Sequence, residues 1–287
     1  MRAKNLHLLK RNRDVLLHIW KWKLATPASL HNIFFKDYHF QNCFYHIRKL
    51  KKKGFVRAEY DISGQSIAWT LTRKGFSAIK LYLPPLKESG YKSDCPDHDI
   101  LLSSVQYEGF LNSSLNFLSV ITEQELRRYE QSGLPKWVPR LQFRRPDGYW
   151  RVYDKKRDLE DVIALEVELS RKTDDDYESI SNVYAATKSV RRIIWLVPNM
   201  TQVKRLNCIL NVNQKKSYNK HNIIIIEDYY KNLWGANISA GPDKGKPMGR
   251  LLGFVPVETF LPAKYSPMLD GRKYPVKSEG YKVFGIG

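Results

Sequence analysis

The chain has 287 residues, 43% hydrophobic and 13% aromatic, which is material for one large domain or two modest ones with a real core. Its 48 Lys and Arg against 29 Asp and Glu leave a formal net charge of +19, a field that favours a polyanion, nucleic acid ahead of an anionic membrane surface. No apolar run reaches the ~20 residues of a membrane span, the basic Met1-Arg2-Ala3-Lys4 lacks the apolar segment of a secretory signal, and three scattered cysteines (Cys43, Cys95, Cys208) argue for reduced thiols in a cytoplasmic protein over a disulfide framework or zinc site.

The charge is uneven. Residues 1–57 carry 14 basic and 2 acidic side chains, residues 199–287 carry 14 and 6, and the stretch between is nearly neutral. In the basic N-terminal part, Val15, Leu16, Ile19, Trp20 and Leu24 recur at helical spacing. Thr26-Pro27 opens a second helix to about Phe35, with Thr26 as N-cap and Pro27 at the first helical position. After a break at Asp37-Tyr38-His39, Phe40, Phe44, Ile47 and Leu50 predict the core face of a third helix, ended by Lys51-Lys52-Lys53 and Gly54. Phe55–Tyr60 reads as a strand, Asp61–Gly64 as a turn and Gln65–Leu71 as the returning strand, and Thr72-Arg73-Lys74-Gly75 opens another helix.

Three helices followed by a hairpin predict a winged helix-turn-helix domain over residues 1–83. Its third helix is expected to turn Gln41, Asn42, Tyr45, Arg48, Lys49 and Lys52 outward, with Arg73 and Lys74 following the hairpin. Amide and guanidinium groups suit base edges and lysine suits phosphate, so double-stranded DNA is the expected partner. A protein-binding version of the same module is the alternative, disfavoured by its charge.

Turn formers from Pro84 to His98 predict a linker. A helix is expected over Asp99–Phe117, with Asp97 as its cap, then a short strand Val120–Thr122 and a capping box Thr122-Glu123-Gln124-Glu125. Tyr149–Tyr153 and Val162–Ser170 read as strands about a charged turn. A helix over residues 174–189, a buried strand Arg192–Pro198, a helix Thr201–Leu210 and a strand Ile223–Ile226 follow. This alternation predicts an α/β domain over residues 99–234 whose mixed sheet has a parallel half. Residues 235–287, rich in Gly, Pro and Lys, are expected to form a loosely ordered basic extension.

The chemistry concentrates in Val162–Ser170. Strand alternation puts Glu166, Glu168 and Ser170 on one face and Leu165, Val167 and Leu169 on the other. Two carboxylates on a core strand need a cation beside them. With Pro146-Asp147 upstream, Glu166-Val167-Glu168 matches the PD-(D/E)XK nuclease pattern. There the Asp and the first acid hold Mg2+ or Mn2+ from adjacent strands, and a third residue, usually Lys, positions or activates the attacking water. Here Glu168 stands at the lysine position; a lysine from nearby is expected in its place, Lys172 four residues on being favoured over Lys188 on the following helix. The competing possibility is a structural network in which Glu166 and Glu168 pair with Arg144, Arg145 or Lys172. Asp174-Asp175-Asp176 suits the first turn of the next helix.

The series as a whole (winged helix, linker, His98-Asp99, Arg145-Pro146-Asp147-Gly148, then Ala164 to Thr173) resembles the replication-relaxation family and the non-HUH mobilization relaxases of plasmids over roughly residues 10–230. Those proteins carry a restriction-endonuclease-like domain. The resemblance implies a sequence-specific, metal-dependent DNA endonuclease, nickase- or relaxase-like, in plasmid or mobile-element mobilization or replication. It implies Asp147 and Glu166 as ligands of Mg2+ or Mn2+ and Glu168 and Lys172 as catalytic, with His98, Asp99, Glu123 and Lys188 as lesser candidates. Other mobilization or replication proteins and a second copy of the chain are admissible partners; a membrane is not. The alternative is a non-catalytic DNA-binding replication or transcription regulator with a degenerate nuclease fold.

Overall fold

A computed structural model describes residues 9–60, 66–112, 117–140, 145–154, 157–212 and 220–252. The expected turn Asp61–Gly64, Arg144 and residues 253–287 lie outside these. The N-terminal part consists of α1 (Lys10–Trp22), the short strand β1 (Leu24–Ala25), α2 (Pro27–Phe34), α3 (Phe40–Lys52), the strands β2 (Val56–Tyr60) and β3 (Ser66–Leu71), and α4 (Arg73–Ile79). The three strands form a sheet of order β1-β3-β2. Two helix starts follow from their caps: Thr26 Oγ1 accepts from the Ser29 N–H before α2, and Thr72 Oγ1 from the Gly75 N–H before α4. β1 is new relative to the sequence reading, because a two-residue strand carries no periodicity.

The N-terminal core draws Val15, Leu16, Ile19 and Trp20 from α1 against Leu30, Cys43, Ile47, Leu50, Phe55 and Trp69. The apolar side of α3 is therefore Cys43, Ile47 and Leu50. Phe40 and Phe44, expected in the core, are half-buried and meet edge to face at 5.1 Å.

The second part contains α5 (Pro96–Asn112), β4 (Phe117–Thr122), α6 (Glu123–Arg128), β5 (Gly148–Asp154), β6 (Leu159–Val167), α7 (Asp174–Ala186), β7 (Val190–Val197), α8 (Met200–Asn207), β8 (His221–Ile225) and α9 (Ile226–Asn232). Its five strands run in the order β4-β5-β6-β7-β8. β4, β5 and β6 are antiparallel neighbours, and β6, β7 and β8 are parallel ones. The chain is thus mixed α/β with a mixed five-stranded sheet. Parallel neighbours need crossovers, and α7 and α8 supply them. On one face Leu165, Val167, Ile194, Leu196 and Ile224 pack with Leu101, Leu102 and Val105 of α5. On the other, Ala164, Ile193, Trp195 and Ile223 pack with Tyr177, Ile180 and Tyr184 of α7 and Leu206 of α8. Burial on both faces is why β7 and β8 read as continuous apolar runs.

Several boundaries differ from expectation in ways that affect the site. α5 begins at Pro96 rather than Asp99, so Asp97 lies in its first turn and His98 and Asp99 are helical. Phe117 opens β4 instead of closing a helix. β6 ends at Val167, short of Glu168, although the Glu168 N–H still donates to the Leu196 carbonyl at 2.9 Å and keeps the chain beside β7. Residues just beyond Trp234 are ordered: Ala236, Ile238 and Met248 are buried, and Ala240 bridges to Ile223.

The segment between the two parts lies against both. Leu86 bridges to Tyr129, the Trp20 Nε1–H donates to the Gly90 carbonyl at 2.8 Å, and Trp20 stacks on Tyr129 at 5.5 Å. Among the described residues, no helix is long and apolar enough to cross a membrane, and Cys43, Cys95 and Cys208 form no disulfide.

Gly75 is pressed against the backbone of Phe55: an added Cβ would lie 2.0 Å from the Phe55 carbonyl oxygen. Gly75→Ala is therefore expected to cost about 1–3 kcal/mol, read as a lower denaturation midpoint. An unchanged midpoint would contradict this close approach.

Candidate functional site

A cavity of about 510 Å3 opens where β6 ends and β5 begins, lined among others by His98, Arg145, Asp147, Glu166, Glu168 and Lys172. Strand pairing builds it. β5 runs antiparallel to β6 with Gly148 opposite Leu165, and the Asp147 N–H donates to the Leu165 carbonyl at 3.0 Å. The residue preceding β5 thus meets the last residues of β6. Asp147 and Glu166, far apart in sequence, line one cavity.

Each carboxylate is held by a different element. Asp147 Oδ2 accepts from the Val167 N–H at 2.6 Å and lies 3.4 Å from His98 Nε2. The Asp147 carbonyl accepts from the Glu123 N–H at 3.0 Å and from Gln106 Nε2 at 3.1 Å. Glu166, on the α7 side of the sheet, is 5% exposed and accepts from the Tyr184 hydroxyl at 2.5 Å. Glu168 is 3% exposed and pairs with Lys172. The acid at the expected lysine position and the lysine expected to replace it are therefore in direct contact. The loop after β6 is fastened from α7 and α8: the Tyr177 hydroxyl accepts from the Lys172 N–H at 3.2 Å and from Gln202 Nε2 at 3.0 Å, and Arg205 donates to the Lys172 carbonyl at 3.0 Å. Thr173 caps α7 in a capping box with Asp176, and Asp174, Asp175 and Asp176 form its acidic first turn.

His98 and Asp99 enter from the first turn of α5. His98 Nδ1 is 3.3 Å from Asp99 Oδ1, and the buried Asp99 accepts from Lys23 Nζ at 2.9 Å and from the Ser93 hydroxyl at 2.6 Å. Lys23 also pairs with Glu123. Burial opposes the charged form of His98, but the Asp147 charge, the hydrogen bonds to Asp147 and Asp99 and the Asp99 charge outweigh it and push its pKa up to about 11. Burial likewise works against the charges of Lys23 and Asp99, yet their partners hold the lysine above and the carboxyl below its ordinary value.

Carboxylate oxygen is the donor type that a hard divalent cation takes. Mg2+ takes oxygen ligands, uses one or two carboxylates and keeps several waters. Asp147 and Glu166 offer such oxygens at the cavity wall. Among the described residues, no three His, Cys, Asp or Glu side chains are grouped to hold a metal ion, so water or substrate oxygens would complete the shell.

The remaining candidates fall elsewhere. Lys188 is exposed in the turn before β7, at the opposite end of that strand from Trp195, which pairs with Glu166, and it does not line the cavity. Glu123 stands behind Asp99, joined to it through Lys23. Gln41, Asn42, Tyr45, Arg48, Lys49 and Lys52 are all exposed on α3, and Arg73 and Lys74 are exposed at the start of α4. Lys49 Nζ sits 4.2 Å over the Tyr45 ring, and Lys74 Nζ donates to the Lys53 carbonyl at 2.7 Å. Sequence reasoning missed Lys23, Gln106, Tyr184 and Arg205 as site-supporting residues. Tyr184 was visible only as a core position of a helix, and the other three carry no local signal, because their partners are remote in sequence.

Tyr177→Phe would leave the Lys172 N–H and Gln202 amide without their shared acceptor. A loss of about 2 kcal/mol is expected, together with faster amide exchange at Lys172. Unchanged exchange there would show that the hydroxyl does not hold the loop. Comparison of the chain with protein-family models, with curated proteins and with solved structures finds no match.

Proposed function

We propose that the chain is a metal-dependent DNA endonuclease, nickase- or relaxase-like, directed to its site by a winged helix-turn-helix domain. The observation that carries this reading is the meeting of Asp147, Glu166, Glu168 and Lys172 at one cavity, where the start of β5 adjoins the end of β6 and the loop that follows it. The mixed sheet and its helices support a restriction-endonuclease-like domain. The three helices, the β1-β3-β2 sheet and the exposed basic face of α3 support a DNA-binding winged helix. The resemblance to the replication-relaxation family supports a role in plasmid or mobile-element mobilization or replication, in the cytoplasm.

In this reading Asp147 and Glu166 would hold Mg2+ or Mn2+, which when bound would polarise the scissile phosphate and acidify a water. Glu168 accepts the proton of a water whose oxygen bonds to phosphorus as the bond to the leaving sugar oxygen breaks, and that oxygen takes a proton from solvent. Lys172 orients Glu168 and, with Arg145, offers positive charge to the phosphate. Tyr184 and the Val167 N–H keep Glu166 and Asp147 in place. One observation favours the second reading, a non-catalytic DNA-binding replication or transcription regulator. The Asp147–His98 and Glu168–Lys172 pairs already place basic side chains beside two of the three carboxylates.

Supercoiled plasmid incubated with Mg2+ or Mn2+ separates the two. Nicking is expected with wild type and should fall about 100-fold or more in Glu166→Ala; equal activity in the two, or none in wild type, removes the enzyme reading. For the N-terminal module, Arg48→Ala and Lys52→Ala should each weaken duplex binding and lower the slope of log affinity against log salt by about one. Affinity indifferent to salt would count against DNA contact through α3.

A further inference from the structure

We propose that Lys23, at the end of α1, is a positioning residue for the cavity: it holds Asp147 through Asp99 and His98, so the N-terminal part completes a site built on the second sheet. This rests on the reading of Asp147 as a metal-holding carboxylate.

The connection is a continuous series of short polar contacts. Lys23 Nζ donates to Asp99 Oδ1 at 2.9 Å, Asp99 Oδ1 lies 3.3 Å from His98 Nδ1, His98 Nε2 lies 3.4 Å from Asp147 Oδ2, and that same oxygen accepts from the Val167 N–H at 2.6 Å. A second branch returns to the same residue, since Lys23 pairs with Glu123, whose N–H donates to the Asp147 carbonyl at 3.0 Å. Lys23 is 9% exposed and Asp99 3%. Charges this buried are strongly coupled, and removing one leaves its partners uncompensated.

The backbone aims the ammonium. Lys23 caps α1 in the left-handed conformation, with φ 62°, and its N–H donates to the Trp20 carbonyl. A cation there also suits the negative end of the helix. The next residue, Leu24, begins β1, which pairs with β3 of the hairpin. Leu24 packs in a cluster with Ala68 and Ile100, and Leu169, a cavity-lining residue, packs against that cluster. The same few residues of the N-terminal part thus touch the cavity by an ionic route and an apolar one. A shift of α1 against α5 would move Asp147.

The test uses the full chain. Lys23→Met removes the charge and keeps most of the stem; Lys23→Arg is the conservative control; Asp99→Asn breaks the series one step on, leaves Lys23 paired with Glu123, and serves where Lys23→Met folds poorly. Hydrogen exchange at the Val167 amide and Mn2+ binding by calorimetry are the readouts. In Lys23→Met and Asp99→Asn, exchange at Val167 should speed up and Mn2+ affinity should fall, each by about tenfold or more. Lys23→Arg should restore most of both, and duplex affinity should stay unchanged. Exchange at Val167 equal to wild type in both variants overturns the proposal. So does exchange raised uniformly through β7 and β8, which marks general destabilisation, or failure of the arginine to rescue. A wild type that neither binds Mn2+ nor nicks DNA removes the nuclease reading alone, because Val167 exchange still reports the link to Lys23.

Discussion

The antiparallel register of β5 on β6 is the constraint on which the rest depends. With Gly148 opposite Leu165, Asp147 falls beside the last residues of β6 and its carboxylate meets the Val167 N–H. A slip of one residue would exchange the faces of every side chain on the strand. Glu166 would then point into the layer of Leu101, Leu102 and Val105, and Leu165 toward Tyr184. The Leu101, Leu102 and Val105 layer is apolar and buried and could not take the misplaced carboxylate. The register that buries the aliphatic side chains also delivers the acids to the cavity.

Charge balance is the second determinant. Glu166, Glu168 and Asp99 are all nearly inaccessible, and each is compensated by a different device: a tyrosine hydroxyl, a lysine on the same loop, and a lysine from the N-terminal part. The compensation is graded. Lys172 and Arg145 stand at the cavity itself, while Lys23 and Asp99 stand a layer behind. Such an arrangement sets positive charge beside and behind the carboxylates and leaves the opening clear, because Lys23 stands away from it.

The junction between the two parts follows the same logic. Trp20 on Tyr129, Leu24 near Leu169 and Lys23 on Asp99 put an aromatic, an aliphatic and an ionic contact side by side. Turn formers between Pro84 and His98 predict a linker, and polar turn composition says only that a segment forms no regular element. Whether it docks depends on the surfaces it meets, here Trp20 and Arg128, whose partners are the Gly90 and Lys87 backbones.

By itself the sequence determined the elements and the mixed sheet, because helical spacing, caps such as Thr26, Thr122 and Thr173, and strand alternation are local properties. It also marked Asp147, Glu166, Glu168 and Lys172, since carboxylates within an apolar run are conspicuous wherever they pack. Boundaries were less legible: Pro96 starts α5 and Val167 ends β6, because pairing and capping with remote partners decide the last turn or residue of an element. Only the tertiary structure decided that Lys172 rather than Lys188 reaches Glu168, that Tyr184 holds Glu166, and that Lys23 supports Asp147 through His98. The physical reason is common to all three: an ion pair or hydrogen bond acts over a few ångströms, and what lies within that reach is set by strand register and helix packing, not by spacing along the chain.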